Sequence, residues 1–481
     1  MNLIDDPSPT IGLEIHCQLA TGTRLFSPAP TGGEATNDAC LPYDMGHPGT
    51  LPVLNQRAVD LAIQAGLALD CTVHRTSYFD RKHYAYPDLP RGFQITQQHQ
   101  PICTQGTLSY LHDGQRQTLS IERLHLEEDA ARSIHQPGRT LIDHNRAGHP
   151  LIEIVTAPEL TSPEEAESAL RSLHRLLVSL GVTDGELQSG SFRCDANISL
   201  SLYEPAPRTE LKNLNSFRFV RKALAHELQR HLDAHKTGER FPDQTRRYDP
   251  AEDRTLPLRD KESTPEYRYL RALDLGPLEL TDEHIQSLQR RLPPRPLDRW
   301  QRYTEDLHLD ADAAHMLCFP PSRAQFFDAA LDQVDPALAP ALATLITNDL
   351  LSYVDDHRPS IADLPATAED LARLAELRAD RTINSSAVTT ILDAIIDDGR
   401  SLGVDAIVDE YDLRQLQDPS ALQAILDDVL AQHPDLVDDY RRGQHQLFGY
   451  FMGQAMKASG GRADPQMVSS LLKELLHDDP H

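Results

Sequence analysis

Glu14 and His16 stand two apart in the run Ile11-Gly12-Leu13-Glu14-Ile15-His16. On a strand, residues two apart leave the same face with Cα atoms roughly 6.5 Å apart, so a carboxylate and an imidazole here can converge on one cation. A polar, solvated sheet face has the same spacing, and spacing alone leaves both readings open. A second acidic element is Glu127-Glu128-Asp129. Consecutive carboxylates repel one another unless a cation or solvent neutralises them, so the run is either a ligand cluster or a solvated turn. By alternation Glu127 shares a face with His125, and Glu128 follows Leu124 and Leu126.

A third element is Ser191-Phe192-Arg193-Cys194-Asp195-Ala196-Asn197-Ile198-Ser199. Its polar face offers a guanidinium, a carboxylate, an amide and a hydroxyl, which suits a metal–phosphate site and equally suits an exposed, hydrogen-bonded strand face. A fourth, Glu210-Leu211-Lys212-Asn213-Leu214-Asn215-Ser216, leads into a basic segment with Arg218, Arg221 and Lys222. A helix start with a lysine and amides can hold phosphate, or the same amides can simply cap the helix. A fifth, residues 79–88, interleaves Arg81 and Lys82 with Tyr84 and Tyr86. Charge for phosphate and rings for stacking are what a single-stranded nucleic-acid end requires, although ordinary loops also hold cation–π contacts. Neither a Gly-x-x-x-x-Gly-Lys nor a Gly-x-Gly-x-x-Gly loop occurs. If ATP binds, a sheet face and a metal hold it.

The elements that must position these residues follow from periodicity. Residues 10–19 alternate as a strand with one buried face, and residues 57–69 have helical apolar spacing. Residues 105–126 read as a hairpin turning at His112-Asp113-Gly114, and 150–156 as a nearly continuous apolar strand. Ser162-Pro163-Glu164-Glu165 opens a helix with Ser162 as N-cap and Glu165 closing a capping box; it runs to Leu180 and stops at Gly181. Residues 193–202 alternate again, and 215–235 form a long helix. Hairpin-joined strands favour an α+β domain with an antiparallel sheet over a doubly wound one. A boundary falls near Arg291-Leu292-Pro293-Pro294-Arg295-Pro296. The expected organisation is 1–295, a helical segment 296–405, and a helical tail 406–481 whose last helix starts at Asp464-Pro465.

The chain of 481 residues is 40% hydrophobic and 25% charged, an ordinary soluble composition. No apolar window reaches the roughly 18 residues of a membrane span, and no secretory signal opens the chain, so no membrane role and a cytoplasmic location are expected. The six cysteines are scattered without a Cys-x-x-Cys pair, which argues against a disulfide framework or a cysteine zinc site. A net charge of −27 argues by itself against nucleic acid. Yet between residues 440 and 476, Arg441, Arg442, Lys457, Arg462 and Lys473 face only Asp464 and Glu474, a local surplus able to hold an RNA backbone.

Taken in order, these elements closely resemble the GatB/GatE family, the B subunits of the aspartyl/glutamyl-tRNA amidotransferases. The resemblance is carried by the Ile11–His16 run, Asp80-Arg81-Lys82, Tyr86-Pro87-Asp88, Leu124–Asp129, Pro150–Val155, Arg193–Asn197, Leu211–Ser216 and the tail motif Gly453–Gly461, and extends from about residue 10 to about 476. It implies a glutamine-synthetase-like catalytic domain, a helical domain and a YqeY-like tRNA-binding tail. It implies that ATP phosphorylates the side-chain carboxylate of mischarged Glu-tRNA(Gln) or Asp-tRNA(Asn), and that ammonia then displaces phosphate. A glutaminase (amidase) partner would supply the ammonia, with a third, small partner completing the assembly. On this resemblance Glu14, Glu127, Glu128, Asp195, Arg193 and Lys212 are the expected catalytic residues. Mg²⁺ is expected on Glu14, His16, Glu128 and Asp195, and ATP near Glu153, Ser191, Asn197, Asn213, Asn215 and Ser216. Arg81, Lys82, Tyr84, Tyr86, Lys457 and Arg462 are expected to meet RNA. Ser189, Ala157 and the Leu270–Leu273 stretch depart from the family pattern at acidic positions, and only Cys40 remains of a four-cysteine knuckle, so no zinc is expected. The departures would also suit an ATP-dependent carboxylate–amine ligase acting on a substrate other than tRNA. A non-catalytic tRNA-binding protein would have no reason to keep Glu14, His16, Glu128 and Asp195.

Overall fold

The computed structural model describes residues 9–200, 206–239, 241–260, 267–397, 399, 402–416 and 418–477. It divides between Leu297 and Asp298 into two compact units.

In the first unit the alternating segments become a sheet with one dry face. Its strands in chain order are β1 (Pro9–Gln18), β2 (Thr72–Val73), β3 (Thr76–Ser77), β4 (Asp80–His83), β5 (Phe93–Thr96), β6 (Cys103–His112), β7 (Gln115–Glu128), β8 (Arg132–Gln136) and β9 (Arg139–Asp143). They continue with β10 (Pro150–Thr156), β11 (Phe192–Leu200), β12 (Arg208–Leu214), β13 (Gln244–Asp249), β14 (Arg254–Asp260), β15 (Leu270–Arg271) and β16 (Leu278–Glu279). The main sheet has the order β14-β13-β12-β11-β1-β10-β7-β6-β2, antiparallel except where β12 meets β13. The α+β antiparallel architecture expected from the sequence is the one observed.

Ile11, Leu13, Ile15 and Cys17 of β1 join Leu124, Leu126, Ile152, Ile154, Ala196 and Ile198 in one buried layer. Helices α1 (Gln56–Ala68), α2 (Pro163–Ser179) and α3 (Phe217–Thr237) cover it. Each fully buried Leu or Ile contributes about 1.5–3 kcal/mol, and this pins the register. All the even-numbered residues of β1 are therefore left on the other face. The β6–β7 turn is the two-residue type with left-handed backbone at both Asp113 (φ 48°) and Gly114 (φ 73°), where the glycine costs nothing and the aspartate tolerates it. Ser162 caps α2 by accepting from the Glu165 amide, but Glu165 does not close a capping box. Its carboxylate accepts from Thr161, backbone and hydroxyl, and from the Tyr110 hydroxyl. The aromatic hydroxyl from β6 and the residue before the cap outcompete the Ser162 amide. The strand expected over 193–202 covers Phe192–Leu200, its last two positions lying outside the described residues.

Helix α3 docks on the sheet through a buried polar knot. Glu227 is fully buried and pairs with Arg230 at 2.7 Å and Arg246 at 3.0 Å, while the His231 ring bonds the Thr209 hydroxyl at 2.9 Å. Burial, helped by Arg230, pushes His231 from its ordinary 6.5 down to about 4. Glu227 is also held below its ordinary value, since the Arg230 bond and charge overcome burial. Both depressions have the same sign. The folded state binds fewer protons than the unfolded chain, so the His231 stability is present above about pH 6.5 and is lost as pH falls toward 4, and the Glu227 stability is lost only below about 4.5. The His231 contribution is on the order of 3 kcal/mol. Thermal melts of wild type and His231→Gln between pH 7 and 4.5 are expected to converge at the acid end, the wild type losing stability more steeply; parallel curves would refute the assignment.

The second unit is helical and holds two separate cores. One includes Tyr303, Phe327, Leu342 and Ile391, the other Leu422, Leu426, Phe451 and Leu472. Among the described residues no helix is long and apolar enough to cross a membrane.

Candidate active site

The dry face of β1 decides where its polar residues go. Glu14 lies directly opposite Asp195 of β11, and His16 lies between Arg193 of β11 and Glu153 of β10. One strand further, Glu153 is paired with His125 of β7. Residues from four adjacent strands thus share a patch on the solvent-side face.

His16 Nε2 is 3.4 Å from Glu153, 3.5 Å from Glu127 and 3.7 Å from Glu14. His125 Nε2 is 3.6 Å from Glu153 and 3.9 Å from Glu127. Glu14–His16–Glu153 and His125–Glu127–Glu153 are each compact enough for a metal ion, with candidate ligand atoms all within 4.8 Å of one another. Octahedral bonds of about 2.1 Å place neighbouring ligand atoms about 3 Å apart and opposed ones about 4.2 Å apart, so these spacings suit a small hard cation. The His16–Glu153 separation is at the long end for a hydrogen bond and the others are longer still, and the buried Nδ1 of His125 has no hydrogen-bond partner among the described residues. The donor set, carboxylate-rich with imidazole, fits Mg²⁺ or Mn²⁺.

Charge is concentrated here. Burial, then the Glu153 charge, raises the carboxyl of Glu127 to about 7. Burial and Glu153 raise Glu14 as well, with Asp195 opposite adding to the repulsion. Burial would lower His16, but its bond to Glu153 and the charges of Glu153, Glu127 and Glu14 push it up to about 9. Burial works against Glu153 ionising, yet His125, His16 and Arg123 hold it below the carboxylate range. Burial takes His125 down to about 4. A cation bound here takes the place of the His16 proton, because Nε2 must be unprotonated to act as a ligand.

Basic groups rim the patch. Lys212 Nζ binds Asp195 at 2.7 Å and Glu210 at 2.8 Å. Arg193 binds Asp129 at 3.0 Å, and Gln18 holds the other oxygen of that carboxylate at 2.7 Å. Lys82 reaches in from β4, its ammonium 4.9 Å from the Tyr267 ring and 5.9 Å from Tyr84. Burial would lower Lys82, but Glu127, Tyr269, Tyr84 and Glu153 together raise it, so its charge faces the acidic cluster.

The structure brings together Glu14, His16, Glu127, Glu153, Asp195, Arg193 and Lys212. It does not bring Glu128 to them. Glu128 continues the Leu124–Leu126 side of β7, is 1% exposed, and takes both Arg91 bonds at 2.6 Å and the Ile95 amide at 3.1 Å. Of the four residues expected to hold a metal, Glu14 and His16 cluster with Glu153, Asp195 is paired with Lys212 outside both clusters, and Glu128 is turned inward by alternation. Asn197 sits on the polar face opposite Gly12 and Glu210. Ser191 is buried against Ser189 at 2.9 Å. Asn213 occupies a left-handed position (φ 67°) and binds the Tyr248 carbonyl, Asn215 is exposed, and Ser216 caps α3. Arg81 points away from Lys82, pairing with Asp274 at 2.7 Å over the Phe93 ring, and Tyr86 is exposed. Leu270 and Arg271 form β15 against β4, which sets Tyr267 and Tyr269 beside Lys82; Glu266 lies outside the described residues. Ala157 donates to the Ser120 carbonyl just past β10. In the tail Lys457 is exposed, whereas Arg462 is paired with Asp412. Sequence reasoning missed His125 as a site residue, although it shares a face with Glu127, and Asp129 as the anchor of Arg193.

Known proteins share this sequence over almost its whole length. A model of the GatB/GatE catalytic domain matches residues 9–286, and a model of the GatB domain matches residues 325–476. A protein of Halorhodospira halophila is 42% identical over 97% of this chain and 98% of its own length. One from Nitrosococcus oceani is 41% identical over 97% and 99%, and one from Thermomicrobium roseum 40% over 97% and 98%. Each of the three is the B subunit of an aspartyl/glutamyl-tRNA(Asn/Gln) amidotransferase.

Proposed function

This chain belongs to the GatB/GatE family of amidotransferase subunits, and from that membership we propose that it carries out the ATP-dependent half of tRNA amidation. In this reading the side-chain carboxylate of mischarged Glu-tRNA(Gln) or Asp-tRNA(Asn) is phosphorylated and then amidated in the cytoplasm. The observation that carries it is the patch where Glu14, His16, His125, Glu127 and Glu153 converge between Lys82 and Lys212.

A carboxylate resists ammonia because oxide is a poor leaving group. In the proposed first step a carboxylate oxygen of the substrate bonds to the γ-phosphorus of ATP, the bond to the β-phosphate oxygen breaks, and ADP departs. In the second, the lone pair of ammonia adds to the acyl carbon, the C–O bond breaks, phosphate leaves, and a neighbouring carboxylate such as Asp195 takes the surplus proton. A magnesium-type ion held by Glu14, His16 and Glu153, with His125 and Glu127 adjoining, would neutralise charge on the phosphoryl oxygens. Lys82, Lys212 and Arg193 place fixed positive charge around the same space. Glu127, Glu153 and His125 are buried, which strengthens the charge interactions around the patch. Asn197 shares this face and would be a nucleotide contact, while the Ser191 hydroxyl is engaged by Ser189 and Asp184, and Asn213 and Ser216 bond local backbone.

The functional division we assign is catalytic over 1–295, helical over 296–405 and RNA-binding over 406–481. The unit boundary at 297 and the two separate helical cores are in keeping with a three-part division, with the second boundary moved past the helix Val404–Glu410, whose Ile407 and Val408 belong to the first helical core. Ammonia comes from a glutaminase (amidase) partner, with a third, small partner completing the complex. With those partners, ATP, Mg²⁺, glutamine and mischarged tRNA, the chain is expected to form Gln-tRNA or Asn-tRNA, followed by acid-gel or mass analysis of the aminoacyl product. Failure with both tRNAs would overturn the reading.

A further inference from the structure

Arg123 brings a guanidinium to the edge of the patch and makes no hydrogen bond there among the described residues. It stands on β7 two residues before His125, so its side chain leaves the same face as His125 and Glu127. It faces Glu153, but its Nη2 is 3.6 Å from that carboxylate, too far for a hydrogen bond. Its Nε is buried without a partner, although the side chain as a whole is 31% exposed. A buried N–H without an acceptor costs free energy, and a guanidinium that leaves its donors open beside a reaction site marks a missing acceptor. The other cations here are engaged. Arg193 donates to Asp129, Lys212 is held by Asp195 and Glu210, and Lys82 lies against the Tyr267 ring.

The sheet register supplies the space in which that acceptor would sit. Glu14 of β1 is opposite Val155 of β10, and Val155 is opposite Arg123. Adjacent strands lie about 4.8 Å apart, so the backbones of Glu14 and Arg123 are roughly 9.5 Å apart. Half-buried Val155 forms an apolar floor between them. An oxyanion on this floor meets Arg123 on one side and the Glu14–His16–Glu153 cluster on the other. The reaction read above brings two oxyanions to the patch, a phosphoryl group and a side-chain carboxylate. The ammonium groups of Lys82 and Lys212 are point charges and suit the first. A planar guanidinium fork matches the two oxygens of the second.

We propose that Arg123 binds the side-chain carboxylate of the aminoacyl substrate and orients it for attack on phosphorus. The same contact determines specificity. Once the carboxylate has become an amide, its NH₂ group turns donors toward the donors of the guanidinium, so product is held less tightly than substrate. The proposal deepens the amidation reading above and rests on it.

The test uses the assembled complex in Mg²⁺ buffer with non-hydrolysable, amide-linked aminoacyl-tRNA analogues: the Glu and Gln forms on tRNA(Gln), and the Asp and Asn forms on tRNA(Asn). Wild type is expected to bind the acid form of its own pair about tenfold more tightly than the amide form. Arg123→Lys keeps a charge beside Glu153 but removes the fork, and Arg123→Gln removes both; each is expected to lose that preference. Under turnover, kcat/KM for mischarged tRNA should fall about 10²-fold in Arg123→Lys, with KM for ATP and affinity for Mn²⁺ within about twofold of wild type. A purely structural role for Arg123 would not selectively remove the acid-over-amide preference. Equal affinity of wild type for the two forms of both pairs, or a preference kept in both variants, overturns the assignment and leaves the amidation reading intact. A raised KM for ATP with the preference kept makes Arg123 a nucleotide contact and also overturns it. A wild-type complex that amidates neither Glu-tRNA(Gln) nor Asp-tRNA(Asn) sinks both.

Discussion

Glu153→Gln is expected to lower ATP-dependent amidation by about 10³-fold while tRNA affinity stays within about twofold. Glu153 is the residue common to both three-residue clusters and lies within 3.6 Å of His16, His125 and Arg123. The amide keeps the side chain's volume but removes its charge, so a cation loses a ligand and the surrounding basic groups lose their counter-charge. Titration with Mn²⁺ should show weakened binding in the same variant, which ties the loss to the ion. Activity within tenfold of wild type would refute the assignment. Glu128→Gln is the contrast. Its carboxylate serves Arg91 on the other side of the sheet, so breaking that buried pair costs roughly 3–5 kcal/mol of stability. Its loss should appear first in the melting curve, with Mn²⁺ binding retained.

The sheet was legible because its signal is periodic. Ile11, Leu13, Ile15 and Cys17 can be buried together only on a strand, and that choice sends Glu14 and His16 to one face. The same rule, applied to Leu124, Leu126 and Glu128, already turned Glu128 inward, but the resemblance to a family motif outweighed it. What alternation could not supply was pairing. That His16 meets Glu153, and Glu153 meets His125, depends on β10 lying between β1 and β7, although His16 and His125 are more than a hundred residues apart in the chain. Glu153 was legible as polar within an apolar strand, yet its neighbours were not. Charge counting in the tail is blind to the same information: Arg462 counts as one positive charge in sequence and is paired with Asp412 in space.

Lys82 gives the sharpest separation between what its sequence neighbourhood suggests and what its position implies. Set among Arg81, Tyr84 and Tyr86, it reads as an RNA contact. In the fold it faces Glu127 and Glu153, while its neighbour Arg81 turns the other way to Asp274. In the proposed reaction the ammonium would supply charge to the transferring phosphoryl group, with the Tyr84 and Tyr267 rings flanking it. Lys82→Ala is therefore expected to lower kcat for amidation by about 10²–10³-fold, with the KM for tRNA changing less than about threefold. Lys82→Arg should recover little, because a planar guanidinium is too wide for a point-charge position between two rings. An RNA contact predicts the reverse pattern: kcat near normal, tRNA affinity reduced, and a salt dependence shallower by about one. Measuring kcat, KM and the salt slope on the same three proteins decides between them, and a KM effect without a kcat effect would return Lys82 to the RNA-binding surface.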